Sequence, residues 1–419
     1  MRETKKWRRP AFILLSSQTI AAFGTALTQF AITWYLTLET ESGVIMALSI
    51  VFGMLPQAVL SVVGGVLADR ISKRLLIVAS QGIIVLATVG LALAMSTGYG
   101  AHWLIFLALA IRSIGAGLRT PPVSAVVPQL VPLGQLVRIN GTYQTAQSVV
   151  SILSPVAAAA ALAGTSITTV LFIDVAVSVI AITLVLITPL PDRPVEEHKT
   201  KWQTSLAEGV RYTRGNRFVR WIFTMGVIVI LLGAAPAYLV PLRIARAFSG
   251  EVWMLGGSQI AVSLGTIAVG SLAAIMGRRL KLTVLVVAAP AMFGVASIIL
   301  GITQNIWVLF CAMFLAGAAL TIATGMSGTL LQERVEISYL GRVFGLFGLV
   351  LFAMPLGLVI FGPLADLMQV EILFVCSGIA TFIVSTIVML SPFGRAAIRE
   401  GMSPWKPPMS LRDTREEYR

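Results

Sequence analysis

The chain contains few of the residues on which catalytic and metal-binding sites depend. Two cysteines and two histidines occur among its 419 residues. Cys311 and Cys376 lie in separate apolar runs, where a cysteine packs as a small apolar residue. His102 begins an apolar run and His198 lies in a polar stretch, so no zinc or haem ligand set and no catalytic dyad is formed. No phosphate-binding loop of the type GxxxxGKS or GxxxxGKT occurs. We therefore expect that the protein is not an enzyme, that it does not use ATP directly, and that it binds no cofactor and no metal.

Charged residues are also scarce, at 12% of the chain against 57% hydrophobic residues. A soluble core cannot hide so much apolar surface, so lipid is the expected solvent. A helix of about 20 apolar residues crosses a bilayer core about 30 Å thick. The sequence therefore predicts an all-α membrane protein with twelve transmembrane helices. The predicted spans lie near residues 11–37, 43–68, 75–97, 102–126, 139–163, 166–188, 219–242, 253–276, 282–301, 304–330, 342–364 and 370–391.

The basic residues are distributed unevenly along the chain. The net charge is +13, and 28 of the 31 Lys and Arg fall on one side of the predicted spans, at the termini, in alternate connections or, for Arg119, in the last turns of the fourth span. Arg243 and Arg246 fall on the opposite side, and Arg112 lies inside the fourth span. The positive-inside rule therefore puts both termini in the cytoplasm. Basic residues at that surface face anionic membrane lipid, and we expect no nucleic-acid partner.

Two sequence motifs each occur twice. The segment Gly65 to Arg74 recurs in degraded form as Gly270 to Arg279, 205 residues later. Arg138 to Gly141 recurs as Arg342 to Gly345, 204 residues later. A nearly constant offset of this kind is typical of a duplicated transporter with two similar halves. We predict two pseudo-symmetric six-helix bundles, a polar linker and a cytoplasmic tail, at residues 1–188, 219–392, 189–218 and 393–419 respectively.

The segment Gly65 to Arg74 resembles motif A of the major facilitator superfamily, and the six-plus-six layout resembles the fold of that superfamily. More narrowly, four other segments resemble its bacterial macrolide-efflux branch, namely Ile111 to Gly115, Val131 to Leu136, Ser154-Pro155 and Tyr339 to Phe344. The resemblance implies a monomeric, secondary-active exporter in the bacterial inner membrane. By alternating access it would move a small amphipathic, drug-like compound such as a macrolide outward against proton entry.

The chain departs from the pattern of the superfamily at three places. Ser72 replaces the usual glycine of motif A. Arg112 is followed by Gly115 and Gly117, where the general fourth-helix motif places Gln-Gly at the third and fourth positions. The antiporter motif of the fifth helix survives only as Ser154-Pro155 followed by alanines. Proton antiport is therefore implied by the branch more than by intact motifs.

Other functions of the same fold remain open at the level of the sequence. A lysophospholipid transporter, a siderophore transporter and a transporter-like sensor all fit the composition and the layout. Transport measurements separate a pump from a sensor, and lysolipid uptake separates a lipid transporter from a drug exporter.

Two charged residues lie deep inside the predicted spans of the N-terminal half, Arg112 in the fourth and Asp174 in the sixth. Each such charge costs about 2.5 to 3.5 kcal/mol on membrane-insertion scales. Their similar depth makes a buried ion pair one possibility. A paired carboxylate stays ionised until a proton or a cationic substrate competes, which is the chemistry of a coupling site. The alternative is a structural salt bridge between the two helices.

Polar and aromatic residues of the first and seventh spans are candidates for the substrate cavity. Gln18, Thr25 and Gln29 differ by seven and four positions and share one helix face. Trp34 and Tyr238 are candidate stacking walls, although Trp and Tyr near span ends also serve as anchors at the membrane surface.

The motif A segment is the candidate gate, through Gly65, Asp69, Arg70, Lys73 and Arg74. By resemblance, its carboxylate meets the start of the eleventh helix near residue 341, where a helix dipole favours an anion. Such a contact is worth roughly 0.3 to 2 kcal/mol, which is sufficient because gate states differ by only a few kcal/mol. The alternative role is that of a basic loop that sets topology.

We predict that Asp69→Asn folds and expresses normally but slows transport, because the change removes charge from a gate contact and preserves volume. Lys73→Ala alone should be tolerated, since Arg70 and Arg74 remain. Efflux rates of the purified, folded variants measure both effects. A wild-type rate in Asp69→Asn would exclude the gate role.

Overall fold

The structure is a computed structural model that describes residues 7–98, 100–132, 135–190, 210–248, 251–276, 282–336, 339, 343–344, 346–347, 350 and 353–402. Within these ranges the description omits the side chains of residues 62, 66, 69, 70, 137, 138, 141, 273–276 and 401. Every regular element in the described part is a helix, as the apolar runs predict.

The N-terminal half forms six long helices: α1 Arg8–Thr40, α2 Gly43–Arg70, α3 Lys73–Ser96, α4 His102–Leu130, α5 Leu136–Gly164 and α6 Ile167–Ile187. Three of these helices are capped at the N-terminus by a serine, because the hydroxyls of Ser42, Ser72 and Ser166 each accept a hydrogen bond from a first-turn amide. α1 packs on α5 and α6, while α4 packs on α2 and α3. The helices therefore form one bundle in which α3 also contacts α6.

The C-terminal half is less regular. Its helices are α7 Arg217–Leu232, α8 Ala234–Tyr238, α9 Val240–Ala247, α10 Val252–Met276, α11 Leu282–Ile302, α12 Ile306–Thr321, α13 Ser327–Arg334, α14 Ala353–Leu367, α15 Val370–Leu390 and α16 Pro392–Met402. A π-helical turn, Ile322–Met326, joins α12 to α13. α11 packs on α12 and α15, and α10 packs on α12.

Ten of the twelve predicted spans are matched in the described part by helices that are long and apolar enough to cross a membrane. The predicted seventh span is divided into α7, α8 and α9, and the predicted eleventh is described as the shorter helix α14. Pro236 and Pro241 account for the divided span, because proline lacks an amide donor and clashes with the preceding turn. In contrast, Pro155 lies inside the continuous helix α5.

The ends of the bundles define two faces. We name the end that carries Arg8, Arg74 and Arg334 the basic face, and the end where α1 turns into α2 the distal face. Contacts between the halves join α2 with α14, α5 with α10, and α1 with α9. At the distal face, a β-carbon on Gly43 would collide with the carbonyl of Gly362, so the two backbones approach closely there.

The predicted tail begins as a helix. α16, Pro392–Met402, packs on α7 and α15, with Ala397 fully buried. The Arg220 guanidinium lies 4.7 Å from the ring centroid of Phe393, and Arg334 donates a hydrogen bond to the carbonyl of Glu400. The first part of this segment is therefore attached to the C-terminal bundle, and residues 403–419 lie outside the described part.

Candidate functional site

The two buried charges of the N-terminal bundle form an ion pair. Arg112 Nη1 lies 2.5 Å from Asp174 Oδ2, and the two side chains are 4% and 1% exposed. α4 presents Arg112 and α6 presents Asp174 on their buried faces. Because water does not screen the pair, each partner depends on the other for compensation of its charge.

Neighbouring helices complete the surroundings of the pair. The hydroxyl of Thr88 in α3 accepts a hydrogen bond from Arg112 and lies 3.5 Å from Asp174 Oδ2. Ser178 donates to Asp174 Oδ1 over 3.4 Å. On α1, Gly24 leaves room for the carboxylate, since a β-carbon there would overlap Asp174 Oδ1. Four helices therefore meet at one carboxylate.

A cavity of about 810 Å³ lies between the first turns of α1 and α5 at the basic face. We call it the α1–α5 groove; its lining residues are Trp7, Arg8, Arg9, Phe12, Leu15, Ser16, Thr19, Ile20, Gln135, Ile139, Thr142, Tyr143 and Ala146. Its size is within the range of small-molecule sites. Aromatic and aliphatic walls with hydroxyl groups suit an amphipathic ligand.

The residues predicted to line the cavity lie elsewhere in this conformation. Gln18 is 4% exposed and borders a small space between α1, α3, α4 and α6, and Trp34 is 1% exposed within the core. Gln29 packs its amide against Gly53 of α2. Thr25 donates to the Ala21 carbonyl of its own helix, over 2.9 Å. None of these four lines the α1–α5 groove.

Tyr238, the fifth predicted cavity residue, is partly buried against the core at the end of α8. The groove face of α1 instead carries Phe12, Ser16 and Thr19. Their spacing of four and three positions places them on one side of the helix. The sequence contains that spacing, but the prediction used the spacing of Gln18, Thr25 and Gln29 instead.

The motif A segment is described in part. Lys73 is buried, and Ser72 caps α3 by accepting a hydrogen bond from the Leu75 amide. Arg74 Nη2 donates over 2.6 Å to the carbonyl of Thr188, just beyond the end of α6, where a cation complements the helix dipole. Gly65 has open space around it. Arg74 therefore binds within its own bundle.

The predicted contact of the gate lies outside the described part of the chain. The side chains of Asp69 and Arg70 are not described, and neither are residues 341 and 342. The role of the carboxylate stays a prediction.

The distal face carries a second charged cluster that the sequence analysis did not identify. The carboxylate of Asp366 in α14 accepts hydrogen bonds from the amides of Gly43 and Val44, at 2.6 and 2.9 Å, and from the Ser42 hydroxyl at 2.7 Å. These donors form the N-terminus of α2, where a helix dipole favours an anion. Asp366 therefore caps a helix of the other half.

Arg246, at the end of α9, completes this cluster. Its Nη2 lies 2.9 Å from Asp366 Oδ1. Its Nε donates over 3.0 Å to the carbonyl of Glu41, and its Nη1 donates over 2.6 Å to the carbonyl of Ala365. One cation thus binds chain ends of both halves, near the C-termini of α1 and α14. We name Glu41, Ser42, Gly43, Val44, Arg246, Ala365 and Asp366 the distal junction.

Sequence comparisons extend these observations. The family model of the Major Facilitator Superfamily matches residues 14–356. Macrolide efflux protein A of Streptococcus pyogenes is 29% identical over 388 residues, which cover 90% of this chain and 95% of that protein. The Enterococcus faecalis protein of the same name is 29% identical over 325 residues, covering 76% and 99%. Multidrug efflux pump Tap of Mycobacterium tuberculosis is 25% identical over 394 residues, covering 89% and 92%.

Solved structures share the fold at low sequence identity. A POT family transporter in complex with 5-aminolevulinic acid superposes with a TM-score of 0.72 at 13% identity, covering 93% of this chain and 96% of that one. A bacterial homologue of the human lysosomal transporter Spinster, in an inward-facing and unoccupied conformation, gives a TM-score of 0.68 at 14% identity, covering 96% and 99%. The chain belongs to the Major Facilitator Superfamily and is a multi-pass membrane transporter.

Proposed function

We propose that the protein is a secondary-active exporter that moves an amphipathic, drug-like compound out of the bacterial cytoplasm against proton entry. The observation that carries the proposal is access from one side: the α1–α5 groove reaches the basic face while the distal junction joins the halves at the opposite face. Alternating access requires a state of this kind. The names of the relatives, macrolide efflux and multidrug efflux, support export of a drug-like compound.

In this proposal the basic face is cytoplasmic, as the positive-inside rule predicts. The bundles at 1–188 and 219–392 move as units, and 189–218 connects them. Substrate enters the groove from the cytoplasm or the inner leaflet and contacts Phe12, Ser16 and Tyr143. Breaking the distal junction then opens the other side. A single chain suffices, because both halves of the pathway lie in it.

The ion pair supplies the coupling step. A proton that binds the Asp174 carboxylate removes the partner charge of Arg112. That loss frees Arg112 to move, so proton uptake and helix rearrangement are linked. A buried carboxylate is needed for this step, since an exposed one gains little from a partner.

The proposed export is tested by accumulation of erythromycin and ethidium in bacterial cells with and without the protein. Cells that make the protein should accumulate less of at least one compound, and an uncoupler should remove the difference, because a proton gradient is the proposed energy source. Equal accumulation of both compounds, together with uptake of a labelled lysophospholipid, would favour the lipid transporter instead.

The ion pair gives a second prediction. Asp174→Asn should lower the free energy of unfolding by about 3 to 5 kcal/mol, because it leaves Arg112 buried and uncompensated. The double variant Arg112→Gln with Asp174→Asn should recover most of that stability but fail to build a substrate gradient in proteoliposomes under a pH gradient. Thermal unfolding and uphill transport measure the two effects. Full uphill transport by the double variant would exclude Asp174 as the coupling group.

The distal junction gives a third prediction. Arg246→Gln and Asp366→Asn should each destabilise the distal closure by about 1 to 2 kcal/mol, a five- to thirty-fold change in populations. Spin labels at Gly164 and Gln304, exposed distal positions in opposite halves, should then show a longer distance. Glu39→Gln, an exposed change on the same face, should leave the distribution unaltered. Unchanged distances in both junction variants would contradict the assignment.

A further inference from the structure

The N-terminal bundle contains a second membrane-embedded arginine, Arg119, two helical turns beyond Arg112 on α4. Its Nη1 donates a hydrogen bond over 2.6 Å to Oε1 of Gln81 in α3, a residue that is 3% exposed. The bundle therefore holds two arginines, Arg112 in the ion pair and Arg119 at Gln81, and the role of the second one is not explained by that pair.

A series of hydrogen bonds connects Arg119 to Asp174, and in each of them the donor lies on the Arg119 side. Gln81 Nε2 donates over 2.8 Å to Ser178 Oγ, and Ser178 donates over 3.4 Å to Asp174 Oδ1. An arginine only donates and a carboxylate only accepts, so the two ends determine the direction of the neutral groups between them. Aligned hydrogen bonds polarise one another in a low-dielectric interior. We name Arg119, Gln81 and Ser178 the donor chain.

The donor chain crosses the interior of the N-terminal bundle. Gln18, Gln81 and Arg119 border one small space between α1, α3, α4 and α6. The chain runs from Arg119 on α4, through Gln81 on α3, to the carboxylate on α6.

We propose that Arg119, Gln81 and Ser178 are positioning residues that set the proton affinity of Asp174. The inference rests on the proposed proton coupling through Asp174. In the step concerned, a hydronium ion gives up a proton and leaves water, the proton forms an O–H bond with the carboxylate, and the ion pair with Arg112 breaks. No other covalent bond forms or breaks.

The direction of the effect follows from the donors around the carboxylate. Arg112 donates at Oδ2 and Ser178 donates at Oδ1. A protonated carboxyl would itself become a donor and face these two donors, so the donor chain favours the ionised form. The charged group that contacts Asp174 in the described part is Arg112 of α4, and Arg119 of α4 lies at the other end of the donor chain. At this point α1 and α3 contribute the uncharged Gly24, Gln81 and Thr88.

Breaking the chain should therefore ease protonation of Asp174. The measurement is infrared titration of the purified full-length protein in lipid, where a protonated carboxyl has its own carbonyl stretch. The part of that band that disappears in the more stable double variant Arg112→Gln with Asp174→Asn belongs to Asp174, and its pH midpoint is the readout. This readout needs no knowledge of the substrate.

Gln81→Leu and Ser178→Ala should each move the midpoint to higher pH by about half a unit to one unit, a roughly three- to ten-fold rise in proton affinity. The midpoint of Arg119→Lys should lie nearer to the wild-type midpoint than that of Arg119→Gln, because lysine keeps the positive charge. Thr183→Ala is the matched control, since the exposed Thr183 hydroxyl of α6 donates to the Val179 carbonyl of its own helix; its midpoint should not move.

The outcomes separate the inference from the proposal on which it rests. A band that depends on Asp174 but keeps its midpoint in both Gln81→Leu and Ser178→Ala overturns the donor chain and leaves the coupling intact. Absence of any band that depends on Asp174 overturns both. If Gln81→Leu does not fold, Ser178→Ala, which removes one oxygen atom, decides the question by the same midpoint. A purely structural role of the chain would lower the unfolding temperature without moving the midpoint.

Discussion

Compensation of the Asp174 charge constrains the whole N-terminal bundle. A carboxylate that is 1% exposed needs a cation and further donors, and it receives them from Arg112, Thr88 and Ser178. Gly24 has no side chain at the point where α1 passes the carboxylate. The positions of α1, α3, α4 and α6 relative to one another are thus set by one group, and any change in its protonation acts on all four helices.

The distal junction uses a different kind of interaction, and its contacts differ from the buried ion pair in free energy. Arg246 and Asp366 are 30% and 28% exposed, so water competes for them. Contacts of charged groups with helix ends are worth about 0.3 to 2 kcal/mol, whereas breaking a buried ion pair by removing one partner costs about 3 to 5 kcal/mol. The junction is therefore the weaker of the two contacts, and in the proposed transport cycle it is the one that we expect to open.

Much of the fold was predictable from the sequence, because each feature depends on local chemistry. Apolar runs long enough to cross a bilayer become helices in lipid, where backbone groups must be satisfied within the segment. Repeated motifs at a constant offset indicated the two halves. The structure differs from the predicted spans where the local sequence does not determine the outcome. One predicted span is divided into α7, α8 and α9 at two prolines, while α5 continues through Pro155. Whether a proline breaks a helix depends on the neighbours that satisfy the freed carbonyl.

The candidate site shows the same division. The sequence by itself determined that Arg112 and Asp174 lie inside the membrane, since charge within an apolar run is visible without a fold. Only the tertiary structure decided that they pair, that Phe12, Ser16 and Thr19 rather than Gln18 line the α1–α5 groove, and that Asp366 caps α2. The physical reason is that a hydrophobic pattern specifies which segments enter the lipid, whereas the rotation of each helix and the partners of its polar groups depend on contacts between residues far apart in the chain.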